Sequence, residues 1–137
     1  MTRMLTHLTF DGNCREAMHF YKDCLDGDLF IQTVGESPMA EQMPKKMQNC
    51  ILHATLTSGN LCLMGSDMVS EKGLIRGNAI SVVINCSDEE QIRTLYNKLS
   101  EGGYKTHPIE LTFWGALFGG LTDKFGNPWL LHYEQPN

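Results

Sequence analysis

Apolar positions along this chain change period in an order that occurs twice. Residues 4–10 alternate, with Leu8 and Phe10 on one side and Leu5, His7 and Thr9 on the other, as in a strand with two different surroundings. The period then becomes helical. Asn13 is placed as an N-cap with Glu16 completing a capping box, Ala17, Phe20, Tyr21, Cys24 and Leu25 form the stripe, and Gly27 offers a left-handed stop. Alternation returns over 28–35, 50–57 and 61–65, and Ser58-Gly59-Asn60 between the last two is a hairpin signal. The first half therefore predicts strand, helix, strand, strand, strand.

The same order resumes at residue 79. Ile80, Val82 and Ile84 alternate with Ser81, Val83 and Asn85; Asp88 with Gln91, or Ser87 with Glu90, opens a second helix striped by Ile92, Leu95, Tyr96 and Leu99 and stopped at Gly102. Strands are predicted at 104–109, 115–122 and 129–134. Tyr21 to Gly27 and Tyr96 to Gly102 are both six residues apart, and Gly126-Asn127 precedes the last strand as Gly59-Asn60 precedes the fourth. The simplest account is a duplicated β-α-β-β-β unit: module 1 over 1–66, a linker over 67–77 and module 2 over 78–137, together one domain spanning 1–137. Only residues 36–49, ESPMAEQMPKKMQN, break the correspondence. Without apolar period they read as a loop that covers something, its three methionines being equally ordinary gap fillers.

A four-stranded sheet with a helix on one face has a second face left over, and twist curls that face into half a cup. Two half-cups enclose a cavity. Alternation lines it with His7, His53, Thr55, Ser81, Val83, Leu130 and His132, a set too polar for a plain core, and turns Leu8, Phe10, Leu52, Leu56, Ile80, Val82, Ile84, Trp129 and Leu131 toward the helices. The pattern predicts an α+β protein with curved mixed sheets around a ligand cavity.

Composition narrows the partners. A chain of 137 residues buries roughly 68% of its unfolded surface as one domain. A net charge of -5 without a basic run argues against nucleic acid or an anionic membrane, and permits a basic ligand. No apolar run approaches 18 residues, and MTRMLTHLTFDG turns polar too soon for a secretory segment, so a cytoplasmic protein is expected. Cys14, Cys24, Cys50, Cys62 and Cys86 form no CxxC pair and read as reduced, small core residues. Cys14 stands apart, at the first helical position, where a helix dipole lowers a thiol pKa.

Other chemistry is sparse. No Ser/His/Asp arrangement, phosphate loop or zinc-finger spacing is present. Phe113 and Trp114 are candidates to stack on a flat ligand or to fill a seam, whereas Trp129 falls on the helix-facing core side. Asp123, Lys124 and Asn127 are assigned to turn chemistry, and His19 and His107 to structural or exposed positions.

FDGNCREAMHFYKDCLDG and THPIELTFWGALFGGLTDKFGNPWLLHY, together with the module order, resemble the PhnB-like branch of the vicinal oxygen chelate superfamily, which includes glyoxalases, bleomycin-binding proteins and extradiol dioxygenases. The resemblance covers nearly the entire chain. It implies paired βαβββ modules, a homodimer and a cup for a small organic molecule. Metal-bearing members place a His in the first strand, a Glu near the end of the first module, a His in the next module's first strand and a Glu in the last strand. Here those places fall on His7, near Thr55, on Ser81 and on Leu130, so one ligand in four is kept, and the superfamily's metal is not expected. If a metal were held, His7 with His53 or His132 would supply the donors. Some members carry a demethylubiquinone methyltransferase label, but no glycine-rich cofactor loop follows the first strand. The expected function is binding, with His7 and His53 hydrogen-bonding the ligand, Thr55, Ser81 and His132 on the same lining, and Phe113 and Trp114 as a wall. The alternatives are a metal-dependent lyase, isomerase or dioxygenase of the same superfamily, or a vestigial cavity.

Overall fold

A computed structural model describes residues 1–136 and resolves the chain into two compact units, Met1–Ile75 and a second from Arg76 onward. In the first, β1 (Thr6–Thr9), α1 (Cys14–Leu25), β2 (Asp28–Thr33), β3 (Ile51–Ser58) and β4 (Leu61–Ser66) form a sheet of order β1-β4-β3-β2 with one helix. In the second, β5 (Val82–Asn85), α2 (Glu89–Leu99), β6 (Tyr104–Leu111), β7 (Ala116–Thr122) and β8 (Pro128–Glu134) repeat the plan as β5-β8-β7-β6. β1 runs parallel to β4 and β5 parallel to β8; every other pairing is antiparallel. The predicted βαβββ order is present twice, in two mixed sheets.

Each helix covers one face of its own sheet. Ala17, Met18 and Tyr21 of α1 are fully buried, and so, on the sheet it packs against, are Ala54 and Leu56. Ile92, Leu95, Tyr96 and Leu99 of α2 are buried likewise, with Leu121, Trp129 and Leu131 from β7 and β8. Removing each such large side chain from water is worth about 1.5–3 kcal/mol, so these stripes, and not helix propensity, hold the helices down.

Details at the helix ends differ from expectation. The Asn13 side chain makes no capping bond. Instead Asp67, buried and far along the chain, accepts from Gly12 N (2.9 Å) and Cys14 N (3.0 Å) through Oδ1 and from Ile51 N (2.8 Å) through Oδ2. Bonds from main-chain N–H groups to a carboxylate are charge-assisted and stronger than those to a neutral amide. The left-handed residue ending α1 is Asp26 (φ 54), not Gly27. Gly27 answers a different need, because a Cβ there would meet the Thr57 carbonyl oxygen at 2.6 Å. At α2 the expected cap forms: Gln91 N donates to Asp88 Oδ1 (2.7 Å), and Gln91 Oε1 accepts from Ser87 N (2.6 Å).

Two further expectations are corrected. β5 begins at Val82, so Ser81 lies just ahead of the strand and Ile80, assigned to the helix-facing side, is 83% exposed. Val82 is opposite Trp129, and the residue before Trp129 is Pro128, which has no N–H for the ladder to use. The 36–49 stretch is a connection between β2 and β3, as expected. It holds two single-turn 3-10 helices, Ala40–Gln42 and Lys45–Met47, tied down by Gln48 Nε2 donating to the carbonyls of Ala40 (2.8 Å) and Met43 (3.3 Å).

Candidate functional site

With Ala54 and Leu56 buried under α1, the alternation of β3 turns His53, Thr55 and Thr57 to the helix-free face. Register extends that face across the sheet: Thr55 is opposite Met64 on one side and Phe30 on the other, and His7 is beside Met64. His53 Nε2 and Thr55 Oγ1 are 2.8 Å apart, and Gln32 is opposite His53. His7, His53 and Thr55 therefore share one face as the sequence predicts. Its lining also includes Met64, Gln32 and a Phe30 ring that is 62% exposed, none of which the sequence pattern singled out.

This donor set does not fit a divalent metal site. His7 is separated from Thr55 by the β4 strand, two strand spacings or about 10 Å between backbones. The group between them is the Met64 thioether, a soft and weak donor, and His53 already shares a ring nitrogen with Thr55. Among the described residues, no three His, Cys, Asp or Glu side chains form a group that could hold a metal ion.

In the second unit the helix-free face is built on two rungs, Val83–Leu130–Gly120–His107 and Asn85–His132–Phe118–Glu110. His132 Nδ1 lies 3.0 Å from Asn85 Oδ1. Leu130, at the place where the resemblance would put a carboxylate ligand, is half-buried, and Ser81 lies outside the ladder.

β6 is irregular on both sides of His107: pairing skips Thr106 before it, and Pro108 and Ile109 stand against Gly119 after it. Such bulges re-aim side chains on an edge strand, and they are where a proline is tolerated. Beyond them the turn between β6 and β7 is fixed tightly. Thr112 N donates to the Ala116 carbonyl (2.7 Å), Ala116 N to Thr112 Oγ1 (3.0 Å), and Gly115 N to the Thr112 carbonyl (3.1 Å). Gly115 has φ 90, a conformation L side chains avoid, which accounts for the glycine of the TFWG motif.

The consequence is a pair of aromatic rings held out from the core. Phe113 is 98% and Trp114 55% exposed, and they meet edge to face with centroids 4.8 Å apart. Beside them a groove of about 320 Å³ is lined by His107, Glu110, Leu111, Phe113, Trp114 and Phe118, among others. The sequence reading found Phe113 and Trp114 but not Glu110 or Phe118, and it assigned His107 a structural or exposed place. Its exposure is as expected, but His107 also lines the groove. The missed signal was the Pro108 bulge: strict alternation sets residues three apart on opposite faces, and the extra residue in the bulge brings Glu110 to the side of His107.

The Cys14 and Cys86 thiols are not poised for chemistry. Burial, reinforced by the nearby Asp67 carboxylate, pushes Cys14 up to about 12, contrary to the lowering expected from its place at a helix start. Burial likewise raises Cys86 to about 11. Trp129 is buried, His19 is exposed, and Asp123 organises the turn before β8, all as the sequence indicates. No helix among the described residues is long and apolar enough to cross a membrane.

Comparison with known proteins places these features in context. A sequence profile for 3-demethylubiquinone-9 3-methyltransferase matches residues 2–132. Protein YjdN of Escherichia coli (strain K12) is 30% identical, with 95% of each chain covered. The crystal structure of PA1353 from Pseudomonas aeruginosa superposes with a TM-score of 0.87 at 34% identity, covering 99% of this chain and 100% of that one. A PhnB protein from Bacillus cereus gives a TM-score of 0.73 at 31% identity, covering 96% and 99%. At the level of the fold alone, a glyoxalase/bleomycin resistance protein/dioxygenase family enzyme from Burkholderia phytofirmans PsJN gives 0.67 at 9% identity, covering 96% and 97%.

Proposed function

From a chain that belongs to the 3-demethylubiquinone-9 3-methyltransferase family, the PhnB-like branch of the vicinal oxygen chelate superfamily, we propose a protein that binds a small organic molecule without a metal ion. The observation that carries this reading is the groove at the β6–β7 turn, where three hydrogen bonds and a left-handed glycine hold Phe113 and Trp114 in water. Apolar rings kept exposed by a rigid turn gain nothing from their own fold, and they suit stacking on a flat partner. The same reading gives hydrogen-bonding roles to His7, His53 and Thr55 on the first sheet and to Ser81 and His132 in the second unit. The donor set around His7 supports binding over metal chemistry, because the groups between the His7 and His53 imidazoles are a thioether and a hydroxyl, and among the described residues no third imidazole, thiolate or carboxylate joins them. Methyl transfer receives no support from the first β-α turn, where Asp67 occupies the N–H groups of Gly12 and Cys14 that an anionic cofactor group would use.

A library thermal-shift screen tests the reading. Compounds that bind raise Tm with the concentration dependence of mass action, and the rise disappears in Trp114→Ala or His53→Ala. Stabilisation that persists in both variants, or a library without one stabilising compound, refutes it. The proposal includes a homodimer, supported by the exposed Ile80 and Val83 side chains; a sedimentation mass equal to the 15.4 kDa chain removes that part.

A further inference from the structure

We propose that the groove at the β6–β7 turn selects organic cations: flat rings bearing a quaternary or protonated nitrogen, with the ring against Trp114 and Phe118 and the nitrogen beside Glu110. This rests on the ligand-binding reading above and adds the charge of the ligand.

Glu110 is the one Asp, Glu, Lys or Arg among the groove's lining residues. Its carboxylate has no hydrogen bond or ion pair with any described residue. Two cations of the second unit have other partners. Lys105 on the same strand donates to Asn97 Oδ1 (3.0 Å) and lies over the Tyr96 ring (5.0 Å), while Arg93 pairs with Glu89 (3.0 Å). The β6 bulges leave Glu110 opposite Phe118 on the helix-free face, so the carboxylate stands next to an aromatic ring.

Ring faces are electron-rich and attract cations, Trp most strongly. Three such rings and the Glu110 carboxylate present one sign of potential to whatever lies between them, with the His107 imidazole the lining side chain that can offer an N–H instead. An anion is repelled by all four groups, and a neutral ring gains stacking alone. A cation gains stacking, the attraction of the ring faces and that of Glu110. The overall charge of -5 draws cations toward the molecule from a distance. A volume of about 320 Å³ is at the lower end for ligand sites and matches a one- or two-ring compound.

The test uses three probes of one shape: cationic 1-methylquinolinium, neutral 1-methyl-2-quinolone and anionic 1-naphthoate, followed by NMR titration of the indole N–H signals. Trp114 reports the groove, and Trp129, buried and bonded to Asp123, is the internal control. The cation is expected to move the Trp114 signal with a Kd about tenfold below that of the neutral probe, with the anion weakest. Glu110→Gln, an exposed edge substitution, weakens the cation's binding more than the neutral probe's and so reduces the preference to what the ring faces alone give. Equal Kd values for cation and neutral probe in the unaltered protein, or a preference undiminished in Glu110→Gln, overturns the charge assignment while leaving ring binding intact. If none of the probes moves the Trp114 signal, the groove is no ring site and both readings fail.

Discussion

The indole N–H of Trp129 donates to Asp123 Oδ2 at 2.7 Å, joining the largest buried side chain of the second unit to a carboxylate that is itself only 2% exposed. Oδ1 of the same group accepts from Phe125 N (2.8 Å) and Asn127 N (3.0 Å), so one side chain closes the turn and fixes the ring that fills the core. Asp123→Ala strands three donors, two of them buried, and is expected to cost about 3 kcal/mol. Asp123→Asn keeps one oxygen for the turn and places an amide where the indole needs an acceptor, for a loss of about 2 kcal/mol. Urea unfolding followed by Trp129 fluorescence measures both; a loss under about 1 kcal/mol for the alanine variant would show that the carboxylate is dispensable.

Asp67 plays a comparable part in the first unit, accepting from Gly12, Cys14 and Ile51 and so linking the start of α1 to the start of β3. Asp67→Ala is expected to cost about 3 kcal/mol, whereas Asn13→Ala, at the nominal N-cap, changes stability by less than about 0.5 kcal/mol because its side chain makes no capping bond. Denaturation midpoints of the two variants decide the matter. A loss of about 1 kcal/mol in Asn13→Ala would restore the local capping box.

The contrast shows which parts of the molecule were legible in the sequence. Period and turn residues are local, so the duplicated strand and helix order, the α2 cap at Asp88 and the core place of Trp129 could be read from neighbours in the chain. Asp67 is 53 residues from the helix it caps, a pairing that no window of local pattern contains. Glu110 and Phe118 went unnoticed for a related reason. The register breaks around His107 and Pro108 change which side chains share a face, and strict alternation carried across them gives the wrong neighbours. Ile80 was misplaced because its apolar character fitted the strand, while the end of the ladder depends on Pro128 in the partner strand.

Buried thiols give the stability a pH dependence with a definite sign. Cys14 is fully buried and raised from its ordinary 9.0 to about 12, and Cys86 is raised to about 11. Above pH 9 the unfolded chain loses these protons first, so their contribution is complete below about pH 9 and declines as pH rises toward 11 and 12. Unfolding free energy is expected to fall less steeply between pH 8.5 and 10.5, as an approximate working range, in Cys14→Ala than in the unaltered chain. Parallel slopes would mean that Cys14 ionises alike in both states. Iodoacetamide labelling of the folded protein near pH 8 should spare Cys14 and Cys86 until unfolding.

Tyr96 Oη donates to the His107 carbonyl at 2.6 Å, tying the buried stripe of α2 to the part of β6 where pairing is irregular. The hydroxyl thus holds in place the strand segment from which His107 and Glu110 line the groove. Tyr96→Phe keeps the packed ring and removes this bond alone, so the expected loss is about 1 kcal/mol. Its distribution is the sharper readout. Amide hydrogen exchange should quicken over 106–111 beyond what the global loss accounts for, while β7 and β8 follow the global change. Exchange that quickens evenly across all three strands would mean that the Tyr96 bond adds to the second unit's stability without positioning the bulge.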